Sequence, residues 1–321
     1  MTSSSLFNSL NSPSIKLGLC CINNSLRDKG IFCSRTCIRR CYTPERAQEL
    51  AEQNLLDLHT ILKWNSKNNI QHYRLSSEMF PRFTDDEVEK YDFKQFKPLL
   101  KICGDFAKKT NQRITTHPGQ YNQVGAKSKK VFDKTVEDLS HHCEILDAMG
   151  FDNNSIITVH GGGVYGDKES AIRRWKEQFD DLPQKVKDRL TIENCEYQYS
   201  IEDCLDIADE CKIPVILDTH HFDCYNEVHD TELDISDYMD HVVETWGDRR
   251  IVAHVSEQKE NARVGAHHDY VKKLPKCLLS IPKEYRRGVD IEVEAKAKEK
   301  AIEKLYDLYG ELKWTSDPCE C

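Results

Sequence analysis

Eight side chains in this sequence offer the donors of a divalent-metal site: His117, His160, Glu193, Asp218, His221, His254, His267 and Glu294. Most of them fall at or just past the end of a short apolar run, as in LTIE (to Glu193), VILD (to Asp218) and IVAH (to His254). A lone histidine at such a place, such as His160 in VHGGG, is more often a hydrogen-bonded structural residue. Glu193 is harder to read that way. By strand alternation it points inward, and a buried carboxylate must be paired, protonated or on a metal. Asp218 and Glu294 pose the same problem, with Glu292 on the same face as Glu294. Carboxylates converging in one interior repel, and divalent cations are a usual compensation. One catalytic zinc needs about three ligands. Eight suit two or three ions that share a bridging carboxylate, the arrangement of sites that displace at phosphorus. A nitrogen–oxygen donor set without cysteine favours Mn²⁺ or Zn²⁺ over Mg²⁺. Such ions activate a water and stabilise a departing oxygen, with Glu193, His254 and Glu294 expected nearest the chemistry.

Positioning these residues together requires a particular fold. Eight apolar runs, beginning at Ile15, Ile70, Arg113, Ser155, Arg189, Ile213, Arg250 and Gly288, alternate with segments of helical periodicity. That pattern predicts a single (β/α)8 TIM barrel, whose reactive groups gather at the C-terminal ends of the strands. Thr43-Pro44-Glu45 reads as a helix start, with an N-cap, a first-turn proline and an acidic first turn. Further helices are expected near 93–109, 130–149, 169–179, 200–210, 235–246, 274–279 and 295–308. Three long loops, 23–42, 78–92 and 220–233, are expected on the reactive face, where they would grip a substrate larger than a sugar. The domain is expected to span 15–310, between a lead-in at 1–14 and a tail at 311–321.

Composition bounds the function. The chain has 321 residues, 39% of them hydrophobic, which is enough for one large core, and no apolar run reaches the ~18 residues of a membrane helix. The first fourteen residues hold no Lys or Arg, unlike a secretory signal or a transit peptide. Fourteen cysteines spread along so long a chain suit thiols in a reducing, intracellular compartment, nucleus or cytoplasm. The spacing of Cys33, Cys37 and Cys41 is wrong for a zinc knuckle, although a helix would align them. Net charge is −9. Three divalent ions would add six positive charges at the pocket, and Arg27–Lys29, Arg35, Arg39, Arg40, Lys127, Lys129 and Lys130 cluster on the ligand-bearing side. An acidic bulk with a basic rim is compatible with a nucleic-acid partner without demanding one. No glycine-rich cradle follows the first strand, so no nucleotide cofactor is expected. The glycines of His160-Gly161-Gly162-Gly163 are read as allowing a close approach of backbone to the metal site.

The blocks LGLCCINNSLR, YRLSSEMFP, THPGQYNQ, VHGGG, LTIEN, LDTHH, AHHDY and EAKAKE, in this order, resemble the UV damage endonuclease family, with wider kinship to endonuclease IV-like barrels. The resemblance covers nearly the whole domain. It implies a repair endonuclease that nicks DNA 5′ of UV photoproducts, and in relatives also acts on other lesions such as abasic sites. It assigns the eight residues above as metal ligands, places Asn23 near the lesion pocket, and has Gln120 and Tyr121 probe the duplex where damaged bases leave it. The implied partner is double-stranded DNA carrying UV lesions; no membrane is involved, and the protein is expected to act as a monomer. Leu19, Asp85 and Val252 stand where relatives often carry tyrosine, histidine and lysine.

Two other readings are open. A sugar isomerase or epimerase on a similar barrel also places Glu, Asp and His on Mn²⁺, but its small substrate needs neither the long basic loops nor HPGQY, and no lysine base is evident. A non-catalytic DNA-binding relative would be expected to lose ligands, and none is missing here.

Overall fold

The computed structural model describes residues 14–313. Residues 1–13 of the lead-in expected at 1–14, and residues 314–321 of the tail expected at 311–321, with Cys319 and Cys321, lie outside the described residues. Eight parallel strands close into a barrel in sequential order: β1 (Ile15–Cys20), β2 (His72–Leu75), β3 (Arg113–Thr116), β4 (Ile157–His160), β5 (Leu190–Glu193), β6 (Val215–Asp218), β7 (Ile251–Val255) and β8 (Val289–Val293). Each lies inside one of the eight runs expected from sequence.

The helices are α1 (Asn24–Arg27), α2 (Pro44–Lys67), α3 (Lys97–Lys109), α4 (Lys129–Ala148), α5 (Lys168–Asp180), α6 (Gln184–Lys187), α7 (Ile201–Cys211), α8 (Thr219–His229), α9 (Met239–Thr245), α10 (Lys276–Glu284) and α11 (Glu299–Leu308). Local chemistry sets their ends. Thr43 caps α2 by accepting the Arg46 amide at 3.1 Å, with Pro44 in the first turn. Ser200 and Asp203 form a reciprocal capping box at the start of α7, and Lys212 ends it in the left-handed conformation. Each long helix turns an apolar face to the sheet. The layer between sheet and helices takes the largest buried side chains, including Trp175, Trp246, Tyr73 and Tyr199.

The segment 220–233, expected as a loop, is mostly helix: α8 starts directly after β6. Asp218 is its N-cap, accepting the His221 amide on Oδ1 at 2.8 Å. An Asp-Thr-His-His sequence lacks the periodic apolar signal of a helix, so only its capping residue announced one.

The barrel interior is polar where such barrels usually hold branched apolar side chains. Near the bottom, Asp290 takes hydrogen bonds from Arg113 (3.0 Å) and Arg250. Above it, Glu292 accepts from His72 Nε2 and Thr115 Oγ1, both at 2.7 Å. Arg74 bridges Glu292 (3.1 Å) and Glu294 near the rim. Leu19 pairs in register with Tyr73 and Val293, on the face opposite to Gly18, His72 and Glu292. It is wholly buried toward the helices. Its departure from the family pattern therefore does not touch the interior.

Candidate metal centre

Strand register decides which side chains meet. His160 stands beside Glu193 across β4 and β5, and Asp218 beside His254 across β6 and β7, with His254 in turn beside Glu292 of β8. Parallel partners in register point to the same face, so these groups share the inner wall at its C-terminal end.

Glu193 is the hub. It is 1% exposed and has four imidazoles around its two oxygens. His117 Nε2 lies 2.9 Å from Oε2, and His160 Nε2 lies 3.6 Å from the same atom. His254 Nδ1 lies 2.8 Å from Oε1, with His221 Nδ1 at 3.5 Å. From there the cluster extends two ways. His221 Nδ1 is 3.5 Å from Asp218 Oδ2, because the first turn of α8 folds this ring back over its own cap. His254 Nδ1 is 3.4 Å from Glu294 Oε1, and His267 Nδ1 is 3.6 Å from Glu294 Oε2. All eight side chains expected as ligands therefore belong to one contiguous cluster.

Donor atoms of His117, Glu193 and His254 lie within 4.8 Å of one another, and so do those of Glu193, Asp218 and His221. The two groups share Glu193, as a bridging carboxylate requires. Asp218 supplies the clearest sign of fit. Its Oδ1 is taken by the helix cap, while Oδ2 is buried with no hydrogen-bond partner. A buried carboxylate oxygen in that condition is costly unless a cation meets it.

Electrostatics at the cluster follow from burial and these neighbours. Burial by itself raises the Glu193 carboxyl, but the imidazoles of His254 and His160, with hydrogen bonds from His117 and His221, hold it well below the usual carboxylate range. Burial pulls His221 down, yet Asp218 and Glu193 together carry it up to about 12. Burial dominates at His160 and pushes it down to about 4, against the pull of Glu193.

Sequence reasoning missed the layer beneath. Cys20, Glu292 and Glu294 form a third convergent group, but the guanidinium of Arg74 already bridges the two carboxylates. Burial, with the fields of the neighbouring carboxylates, raises the Cys20 thiol well above its usual range despite Arg74. Divalent ions were the expected compensation for every inward carboxylate. For Asp290 and Glu292 the protein supplies its own cations, the guanidiniums of Arg113, Arg250 and Arg74, with His72 placed between the two carboxylates within hydrogen-bonding distance of both. The available signal was His72 and Arg74 at alternate positions of an apolar run, a period that puts both on the inner face.

The residues expected to meet DNA are placed differently. Gln120 is exposed, and Tyr121 is 63% exposed on the loop after β3. The Tyr121 hydroxyl donates to Asp138 Oδ2 at 3.3 Å. Asn23 is wholly buried and caps α1, its Oδ1 accepting the Leu26 amide at 2.9 Å, while its Nδ2 is buried with no hydrogen-bond partner. Asp85 stays outside the cluster, held by Arg39 and Arg82 at 2.9 Å each. Gly161 makes room for a ring rather than for a metal, since a Cβ there would sit 2.4 Å from Tyr199 Cγ. Cys33, Cys37 and Cys41 share no helix and form no metal-binding group among the described residues. The twelve described cysteines are all free. Among the described residues no helix is long and apolar enough to cross a membrane.

Residues 15–319 match the UV-endonuclease UvdE family. The chain belongs to that family. A protein of Acanthamoeba polyphaga mimivirus, provisionally named a UV-damage endonuclease, is 33% identical, covering 96% of this chain and 95% of its own length. The UV-damage endonuclease of Schizosaccharomyces pombe is 32% identical over 95% of this chain, which spans about half (52%) of that longer protein. The crystal structure of SacUVDE superposes with a TM-score of 0.81 at 29% identity, covering 94% of this chain and all of the other. Endonuclease IV of Thermus thermophilus shares the fold alone, with a TM-score of 0.56 at 12% identity over 93% of this chain and all of the other. The expected family and barrel hold, and the chain is a member of a family of UV-damage endonucleases.

Proposed function

We propose that this protein is a metal-dependent DNA repair endonuclease that cuts the phosphodiester backbone 5′ of UV photoproducts, and that abasic sites are further substrates. The observation that carries the reading is the Glu193 hub, with four imidazoles on one buried carboxylate and the orphaned Asp218 Oδ2 beside it. Two divalent ions fit this donor set. His117, His160, His254 and Glu193 would hold one, and Glu193, Asp218 and His221 the other, while Glu294 and His267 extend the set toward a third. Mixed imidazole and carboxylate donors favour Mn²⁺ or Zn²⁺. Ions so held supply Lewis-acid activation of a water and neutralise the charge that develops on the leaving oxygen.

The protein's own groups do the positioning. Glu193 and His254 orient each other within the buried hub, and Glu294 is held by Arg74 on its inner side. Rigid placement of donors on strand ends is what makes such a site effective. Gln120 and Tyr121, just past His117, stand where they can occupy the space left when damaged bases leave the duplex, at a cost of a few kcal/mol.

The test is nicking of UV-irradiated supercoiled plasmid, with and without EDTA, beside an end-labelled duplex carrying one photoproduct to map the cut. Nicking that requires a divalent ion and maps to the 5′ side is expected. A protein with full metal content that leaves damaged plasmid intact would overturn the reading.

A further inference from the structure

His254 stands between carboxylates on two sides. Its Nδ1 faces the expected ligands, 2.8 Å from Glu193 Oε1 and 3.4 Å from Glu294 Oε1. Its Nε2 faces down the barrel, 3.2 Å from Glu292 Oε2. That approach is oblique, short of a straight hydrogen bond, and the nitrogen has no hydrogen-bond partner elsewhere. Glu292 is fixed from behind. Its Oε1 accepts Thr115 Oγ1 at 2.7 Å and lies 2.7 Å from His72 Nε2, and His72 Nδ1 lies 3.3 Å from Asp290 Oδ2. Arg113 holds that same Asp290 oxygen at 3.0 Å.

The barrel makes room for this stack. Gly18 of β1 pairs in register with His72 on one side and with Glu292 on the other. A Cβ on Gly18 would come within 2.8 Å of His72 Cδ2. The imidazole of β2 therefore crosses β1 over a residue without a side chain, and so reaches β8. His72, Thr115, Asp290 and Glu292 are each at most 1% exposed. Stability does not account for so costly an interior. Apolar packing serves as well as buried ion pairs or better, and it is what such barrels usually carry inside. What the stack supplies is a fixed direction beneath His254.

We propose that Glu292, anchored by His72, is a positioning residue that sets which nitrogen of His254 is offered to the metal centre. The proposal rests on the reading of His254 as a metal ligand. A neutral imidazole carries a hydrogen on one ring nitrogen and a lone pair on the other. An ionised carboxylate only accepts, so Glu292 draws the hydrogen to Nε2 and leaves the Nδ1 lone pair turned toward Glu193 and Glu294. His72 and Thr115 keep the Glu292 carboxylate from turning away.

The experiment compares the parent protein with Glu292→Met, Glu292→Gln and His72→Met. Co²⁺ is the probe, and its affinity is read by competition with a chelator. The visible absorption of the Co²⁺-loaded protein reports the ligand geometry, and urea unfolding in EDTA reports the fold. Glu292→Met is expected to weaken Co²⁺ binding by about 10- to 100-fold and to change the spectrum. Glu292→Gln keeps an oxygen that accepts from Nε2 and should recover most of that loss. His72→Met should give a smaller loss that vanishes in the Glu292→Met background, because His72 acts through Glu292. Parental affinity and spectrum in Glu292→Met, with only the urea midpoint lowered, would reduce the stack to a structural role and overturn the proposal. If Glu292→Met does not fold, His72→Met decides, and parental affinity and spectrum there would overturn it equally. A His254→Ala protein that binds Co²⁺ as tightly as the parent would instead remove His254 from the ligand set, and this proposal with it.

Discussion

At the residue scale, Glu193 is the group on which the site depends. It belongs to both convergent donor groups, so its charge serves two ions rather than one. Glu193→Gln keeps size and shape but removes that charge. Elemental analysis after dialysis should show the loss of both tightly held ions, with nicking falling in parallel. Retention of one full equivalent would show that Glu193 does not bridge. Arg74 poses a different question, because its cation answers two buried carboxylates. Arg74→Met leaves Glu292 and Glu294 without their guanidinium partner. The expected loss is about 3–5 kcal/mol of unfolding free energy in urea with EDTA present, and a loss well below that range would mean that other groups suffice.

At the element scale, helix α8 couples folding to the site. One residue, Asp218, ends β6, caps α8 and turns its second oxygen into the cluster. The two roles separate by substitution. Asn is as good a cap as Asp, so Asp218→Asn should melt close to the parent when both are stripped with EDTA, while its metal content without chelator falls. Asp218→Ala should lose the cap as well, at a further cost of about 1 kcal/mol. If the two variants bind metal and melt alike, the cap and the ligand are not separable functions of this side chain. The capping also explains why His221 reaches the cluster at all. Three residues into a helix, its ring is carried back over the cap, whereas a loop would leave it free.

At the scale of the whole molecule, the barrel gathers groups from distant parts of the chain into one buried cluster, and binding free energy at that cluster becomes folding free energy. Metal at a hundredfold excess over its dissociation constant stabilises by about 2.7 kcal/mol per site. Calorimetry should therefore show a melting temperature that falls in EDTA and returns on adding Mn²⁺, with nicking following the same titration. An unchanged melting temperature across full metal removal would mean that the cluster holds no ion in the folded protein.

The sequence alone determined the eight strands, the barrel and the eight clustered side chains. Strand periodicity is local, and polar residues at the ends of buried strands are visible in one dimension. It did not determine α8, whose Asp-Thr-His-His start lacks an apolar face, nor that the Asn23 oxygen would cap a helix. Only the tertiary structure decided which carboxylates are answered by the protein itself. Arg74, Arg113 and Arg250 come from or beside three different strands to reach Asp290, Glu292 and Glu294 along a fourth. Such pairing depends on barrel closure and on the stagger between strands, and no local pattern records either. The same holds for His72, which meets Glu292, 220 residues later, across the space that Gly18 leaves on the strand between them: the contact exists only once the barrel has closed.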